Sequence, residues 1–157
     1  LMLAVQQSGE RARAEHGPQA SVQLAQMPAD PGAWINTSIA LPPALLTCAA
    51  TNLLDNALHH HQGGEAVNVT LQLCADGSVE ITVCDHGPGL SVRECGQALQ
   101  RFWRKSSSGP GSGLGLTIVR RIAESAGGTL TLALARPGLM ARLHLPAQAA
   151  MAPAGQG

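Results

Sequence analysis

Two asparagines and three histidines lie close together in TNLLDNALHHH, residues 51–61, and could contact a charged ligand. Asn52 and Asn56 are one helical turn apart, so a helix would carry both amides on one stripe with His59 and His60. An amide oxygen suits a Mg²⁺ ion that is bound mainly by phosphate oxygens and water. Simple backbone hydrogen bonding by both amides is the alternative. A zinc site is not expected, because adjacent helical histidines point about 100° apart.

Two glycine-rich stretches could each bring backbone close to a ligand. In DHGPGL, residues 85–90, the carboxylate of Asp85 precedes Gly87 and Gly89 and could accept a hydrogen bond from an exocyclic amine such as that of adenine. GPGSGLGL, residues 109–116, runs into a helical pattern whose free N–H groups could bind phosphate. It is not a P-loop, because no Gly-Lys-Ser/Thr follows. An ordinary turn and a flexible linker are the respective alternatives.

Cationic side chains flank two aromatic ones in RFWRKSSS, residues 101–108, just before the second glycine stretch. Arg101, Arg104 and Lys105 could neutralise a triphosphate there, or they could form a solvated charge cluster. Each motif is weak alone. Their joint occurrence within about 65 residues favours a site for a magnesium-bound nucleotide.

The composition bounds the class of protein. The chain has 157 residues with 45% apolar side chains and zero formal net charge, so we expect one domain and no nucleic-acid-binding surface. No apolar run approaches the roughly 20 residues of a membrane helix. Because the chain starts at Leu1 without an initiator methionine, it is expected to be a fragment. Residues 147–157 are expected to be a disordered tail.

Hydrophobic periodicity predicts the elements that position these motifs. Helices are expected from Leu3 to His16, from Pro42 to His60, and from the second glycine stretch to about Ala126. Any element that packs against the first of these helices is expected to lie outside this chain. Alternating residues predict strands at 21–26 and, less distinctly, at 33–41.

Two hairpins complete the predicted sheet. One turns around Asp76 and Gly77 and the other around Pro137 and Gly138. A two-residue turn at the first would pair Cys74 with Val79, while residues 91–100 are assigned no regular element. We therefore expect an α/β two-layer sandwich, in which helices cover one face of a mixed, mostly antiparallel sheet.

The four motifs, in this order, resemble the catalytic ATP-binding (HATPase) domain of bacterial sensor histidine kinases. NLLDNA matches the N box of that family, DHGPGL its first glycine box, RFWR its F box and GSGLGL its second glycine box. The resemblance implies the Bergerat fold that DNA gyrase and MutL proteins share. It makes residues 21–146 the ATP-binding domain and residues 1–20 a helix or linker from an upstream dimerisation and phosphoacceptor domain.

The resemblance also implies roles for the helix and first-glycine-box residues. Asn56 would bind Mg²⁺, and Asn52 would help to hold the metal or a phosphate. Asp85 would recognise the adenine amino group, with Gly87 and Gly89 giving the base room.

Residues 101–112 would correspond to the mobile ATP lid of the family. Arg101 would contribute to ATP binding, and Phe102 would anchor the lid. Arg104 would contact the terminal phosphate and, together with Asn56, would be a catalytic residue. The phosphates would be cradled by backbone N–H groups of Gly111, Gly113, Leu114, Gly115 and Leu116.

The histidines depart from the family pattern. His59 stands where lysine or arginine is usual for phosphate, His60 stands where tyrosine is usual against adenine, and His61 is expected to have no specific role. Since imidazole carries full charge only below about pH 6.5, we predict weaker ATP binding than is usual, improving as the pH falls toward 6.

The implied reaction is transfer of the ATP γ-phosphoryl group, with Mg²⁺, to a histidine on a separate domain and then to a response regulator. The resemblance further implies a cytoplasmic, monomeric domain taken from a homodimeric protein of the bacterial inner membrane. A non-catalytic nucleotide-binding module and a serine kinase of the same superfamily are the alternatives.

Overall fold

The computed structural model describes residues 2–16, 22–27, 31–35, 37–62, 66–105 and 113–148. Within them lie four α-helices, Met2–His16 (α1), Pro43–His60 (α2), Val92–Ala98 (α3) and Gly115–Ser125 (α4). The same residues contain five strands, Val22–Met27 (β1), Val67–Leu73 (β2), Val79–Cys84 (β3), Thr129–Leu134 (β4) and Leu139–Leu145 (β5). None of the helices in this part of the chain is long and apolar enough to cross a membrane.

The five strands form one sheet in the order β1-β2-β3-β5-β4. β1 runs parallel to β2, and the other neighbours are antiparallel. The sheet is therefore mixed and mostly antiparallel, which confirms the predicted fold class. β3 is the central strand, and its last residue is followed directly by Asp85.

One face of the sheet packs under α2 and α4. Buried and half-buried residues alternate along β2 and β3 because successive side chains of a strand point to opposite faces. The largest side chains with less than 2% exposure include Leu53, Leu54, Leu71, Ile81, Leu143 and Leu145. This core fixes α2 and α4 side by side over the sheet, and both helices carry predicted site residues.

The structure corrects four sequence-based expectations. Cys74 pairs with Ser78, not Val79, because the turn contains three residues and Gly77 has φ +80. The helix α3 was missed, although Ser91 and Glu94 form a capping box at its start.

The other two corrections concern the N-terminal part of the chain. Residues Pro31–Trp34 form a 3₁₀-helix, and of the strand expected at 33–41 there is only an isolated bridge between Ile39 and Ala147. α1 packs against α2, so its partner lies within the chain.

Candidate functional site

The two asparagine amides lie on α2, which packs against α4. Asn52 Nδ2 donates to the backbone carbonyl of Cys48 at 2.9 Å, and its Oδ1 is near Gly115, where an added Cβ would lie 3.2 Å from it. The half-buried Asn56 side chain, one turn further, makes no hydrogen bond to any described residue. The first amide oxygen is thus held beside the start of α4, and the second amide lies on the same face of α2.

The N-terminus of α4 carries backbone N–H groups that no described side chain caps. Its N-cap residue is Leu114, and the side chain of Leu116 is buried in the core. At α3, in contrast, Ser91 and Glu94 cap the first turn reciprocally, at 3.2 and 2.7 Å. The first turn of α4 therefore combines uncapped donors with the positive end of the helix dipole, which is an arrangement that binds phosphate.

Asp85 extends the pairing of β3 with β5 by one residue. Its backbone N–H donates to the Leu139 carbonyl at 3.1 Å. Its carboxylate Oδ1 accepts from the N–H groups of Gly87 at 2.8 Å and Leu139 at 3.2 Å. Asp85 is only 3% exposed, and no described residue donates to Oδ2. The carboxylate is thus fixed by backbone through one oxygen, and the other oxygen remains available to a ligand.

The C-terminal end of α2 lies against the loop that follows Asp85. A Cβ on Gly87 would overlap the carbonyl oxygen of His60, so the close approach requires glycine. His61 Nδ1 accepts from the His86 N–H at 3.4 Å, and the two rings meet edge to face with centroids 5.7 Å apart. His61, for which no specific role was expected, therefore contacts the loop that carries the carboxylate.

His59 and His60 contact each other edge to face, with ring centroids 4.9 Å apart. Partial burial lowers the pKa of His60 below its ordinary value, and the charges of His59 and Lys105 act in the same direction, whereas Asp85 opposes them. The shift favours the neutral form of the His60 ring, which can stack or hydrogen-bond without adding charge.

The start of the predicted lid lies beside Gly113, which follows the lid in sequence. Gly113 has φ +68, and a Cβ on it would lie 2.8 Å from the Trp103 carbonyl oxygen and 3.2 Å from Arg104 Cγ. Phe102 is 66% exposed at φ +63, with the Arg101 guanidinium 5.5 Å from its ring centroid. Trp103, not Phe102, packs against the core as a partly buried side chain. Gly111 lies outside the described residues.

Lys105 connects the start of the lid to the first glycine box. Its ammonium donates to the Gly89 carbonyl at 3.0 Å and lies 3.8 Å from a carboxylate oxygen of Glu94. The sequence suggested a phosphate contact for this side chain, which stays a prediction, and in the structure its partners are a backbone carbonyl and a carboxylate.

The fold therefore brings the motifs to one region through direct contacts. α2 contacts the Asp85 loop through His60, α4 approaches Asn52 through Gly115, and Lys105 joins the lid to Gly89. Among the described residues no group of three or more His, Cys, Asp and Glu side chains could hold a metal ion. Leu139 and Trp103 were not predicted as site residues. The contact of Leu139 with Asp85 becomes visible only once the pairing of β3 with β5 is known.

The histidine kinase-, DNA gyrase B- and HSP90-like ATPase family matches residues 43–149, and the chain belongs to that family. Within it, the chain is an ATP-binding catalytic domain of the sensor histidine kinase type. It is 41% identical over 95 residues to the signal transduction histidine-protein kinase/phosphatase MprB of Mycolicibacterium paratuberculosis, a match that covers 59% of this chain and 18% of that protein.

Two solved structures have the same fold. A mycobacterial sensor histidine kinase MprB gives a TM-score of 0.77 at 28% identity, with 94% of each chain covered. Full-length ShkA, solved in complex with AMPPNP, gives a TM-score of 0.68 at 23% identity, with 96% of this chain and 30% of that chain covered. The sequence-based resemblance is thereby confirmed. The chain spans about a fifth of the length of its curated relative.

Proposed function

We propose that this chain binds MgATP between α2, the Asp85 loop and the N-terminus of α4, and transfers the γ-phosphoryl group to a histidine on a separate dimerisation domain. The observation that best supports this proposal is the Asp85 carboxylate, whose Oδ1 accepts hydrogen bonds from two backbone N–H groups. Its Oδ2 is then the acceptor for the adenine amino group.

The amides of Asn52 and Asn56 fit a Mg²⁺ ion that is bound mostly by phosphate. They are neutral oxygen donors one turn apart on α2, and Asn52 Oδ1 is near the start of α4. Mg²⁺ would neutralise charge on the phosphate oxygens during transfer. The residue types therefore suit an ion that arrives with the nucleotide.

In this proposal the protein accelerates transfer by positioning and by charge stabilisation. The phosphates are held by backbone N–H groups at and just before the start of α4, those of Gly113, Leu114, Gly115 and Leu116, with Gly111 preceding them. Arg104 contacts the terminal phosphate, and His59 and Arg101 add donors at the phosphate end. His60 lies against the base together with the Gly87 and Gly89 backbone.

The acceptor histidine belongs to another domain in this proposal. None of the six histidines of the chain is followed by an acidic residue, as the acceptor of the family is. The phosphoryl group would then pass to an aspartate of a response regulator. We place the domain in the cytoplasm and its parent protein, as a homodimer, in the inner membrane.

A non-catalytic nucleotide-binding module is the second candidate. It is favoured by one observation, the histidine at position 59 where the family pattern has lysine or arginine for phosphate. Both candidates require ATP binding, so the phosphotransfer step separates them.

Calorimetric titration with ATP, with and without Mg²⁺, tests the site in the 157-residue chain and in Asn56→Ala and Asp85→Ala. We expect Asp85→Ala to weaken binding in either condition and Asn56→Ala to abolish the gain from Mg²⁺. Gln72→Ala, exposed on the other face of the sheet, is the matched control. Unchanged binding in both site variants would contradict the proposed site.

Addition of the dimerisation domain and labelled ATP then decides between the two candidates. Phosphohistidine on the added domain supports the kinase. Bound ATP without phosphohistidine supports the non-catalytic module.

A further inference from the structure

The turn between β4 and β5 lies against the backbone and carboxylate of Asp85. β3 and β5 pair as far as Cys84 and Met140, so Asp85 and Leu139 are the next opposed residues. In an antiparallel pair of this kind the two residues exchange N–H···O=C bonds. Here the Leu139 N–H donates to the Asp85 carboxylate in place of its carbonyl. The side chain of Asp85 is therefore part of the strand pairing.

Gly138 makes this arrangement possible. A Cβ placed on it would overlap the Asp85 carbonyl oxygen, lie 2.6 Å from the carbonyl carbon and lie 2.9 Å from Oδ1. All three atoms belong to Asp85, and Gly138 is buried with φ +100. Any side chain at position 138 must therefore displace the carboxylate or its backbone.

The turn has one internal hydrogen bond and also lies close to Gly89. The Gly138 carbonyl accepts from the Ala135 N–H at 3.0 Å. A Cβ on Gly89 would lie only 2.7 Å from the same carbonyl oxygen. The turn thus lies between β4, Asp85 and Gly89. A local shift of the turn would be transmitted to Asp85 and to Gly89, which both belong to the first glycine box.

We infer that Gly138 is a positioning residue that sets the base specificity of the site, by fixing Asp85 Oδ1 on the Leu139 and Gly87 N–H groups and leaving Oδ2 for the 6-amino group of adenine. This inference rests on the proposed function. It assigns part of the discrimination between 6-amino and 6-oxo purine nucleotides to a turn that carries none of the recognised motifs.

The test compares ADP with inosine diphosphate (IDP), which has oxygen in place of the amino group. Calorimetry on Gly138→Ala should show ADP affinity reduced about tenfold or more, with the preference for ADP over IDP reduced by a similar factor, because the carboxylate no longer faces the amine. Gly127→Ala is the matched control. Its φ is +71, but its added Cβ has nothing nearer than Pro146 Cγ at 3.8 Å.

Each outcome is decisive. Loss of base preference in Gly138→Ala but not in Gly127→Ala supports the inference. An unchanged preference in folded Gly138→Ala overturns it, as does an equal loss in both variants, which would indicate a general effect of a side chain at positive φ. A wild-type chain that binds ADP and IDP equally also overturns it. A wild-type chain that binds neither refutes the proposed function instead.

A wild-type measurement decides the question if Gly138→Ala does not fold. Amide NMR spectra are recorded with ADP and with IDP. The inference requires the Leu139 and Gly138 amide signals to shift on ADP binding and to shift less with IDP. Equal responses to both nucleotides, or none, would overturn it.

Discussion

Asp85→Asn should invert the base preference of the site, and the structure gives the reason. Two backbone N–H groups, of Gly87 and Leu139, point at one side-chain oxygen at 2.8 and 3.2 Å. In the asparagine variant these donors select the amide oxygen, because a side-chain NH₂ in that place would face two N–H groups. The NH₂ of the variant then occupies the Oδ2 position, where it opposes the 6-amino group of adenine and matches the 6-oxygen of IDP.

The size of the effect follows from the bond that is lost. A hydrogen bond to a charged acceptor contributes about 1.5–3 kcal/mol, which corresponds to roughly ten- to a hundredfold in affinity. We therefore expect ADP to bind Asp85→Asn more weakly than the wild type by about that factor. IDP should bind Asp85→Asn more tightly than it binds the wild type.

Calorimetric titration of both proteins with both nucleotides measures the two ratios. Asp76→Asn is a matched control, because Asp76 Oδ1 also accepts the N–H two residues further on, from Ser78 at 2.9 Å, in the turn before β3. It should leave both affinities unchanged. Retention of ADP preference by folded Asp85→Asn would refute the assignment of Oδ2 to the amino group.

Three further predictions follow from other parts of the structure. Ser91→Ala should lower the free energy of unfolding by about 0.5–2 kcal/mol in urea titrations with unchanged ADP affinity, since it removes the cap of α3 only. The lowered pKa of His60 means that the unfolded chain binds its proton more readily, so stability should fall as the pH drops below about 6.5, and urea titrations across that range should show less of this dependence in His60→Gln. Gly113→Ala should lower the free energy of unfolding by about 1–2 kcal/mol, because position 113 has a positive φ. It should also weaken ADP binding, because the added Cβ would press on the Trp103 carbonyl. Unchanged ADP affinity in that last variant would show that the close approach of Gly113 to Trp103 does not affect nucleotide binding.

The elements with strong periodicity were predictable from the sequence, and the short or turn-determined ones were not. α2 and the two hairpins have patterns long enough to identify, and the structure contains them. α3 has seven residues, which are too few to establish a helical periodicity of apolar residues. Only the capping box of Ser91 and Glu94 indicates this helix in the sequence. The Asp76-Gly77 pair is compatible with turns of two or three residues, so the register of β2 on β3 depended on backbone geometry.

The motifs of the site were predictable, but their contacts with the rest of the chain were not. The Leu139 N–H reaches Asp85 across 54 residues of sequence, through strand pairing that no local pattern specifies. The sequence also does not show which of two adjacent aromatics is buried: Phe102, at φ +63, is 66% exposed, and Trp103 packs against the core. The proximity of Lys105 to Gly89 and Glu94 is likewise a tertiary result.

The glycines of the first glycine box have a second role that the sequence did not suggest. Gly87 and Gly89 were expected to give the base room, yet added Cβ atoms would meet protein backbone, at the carbonyl oxygens of His60 and Gly138 respectively. Backbone carbonyls cannot rotate away as flexible side chains can, so the loop can lie this close to α2 and to the β4–β5 turn only with glycine at both positions. Asp85 Oδ1 is near this packing, 3.1 Å from a Cβ built on Gly87 and 2.9 Å from one built on Gly138. The position of the carboxylate therefore depends on the packing of the protein itself, which is the preorganisation that base recognition requires.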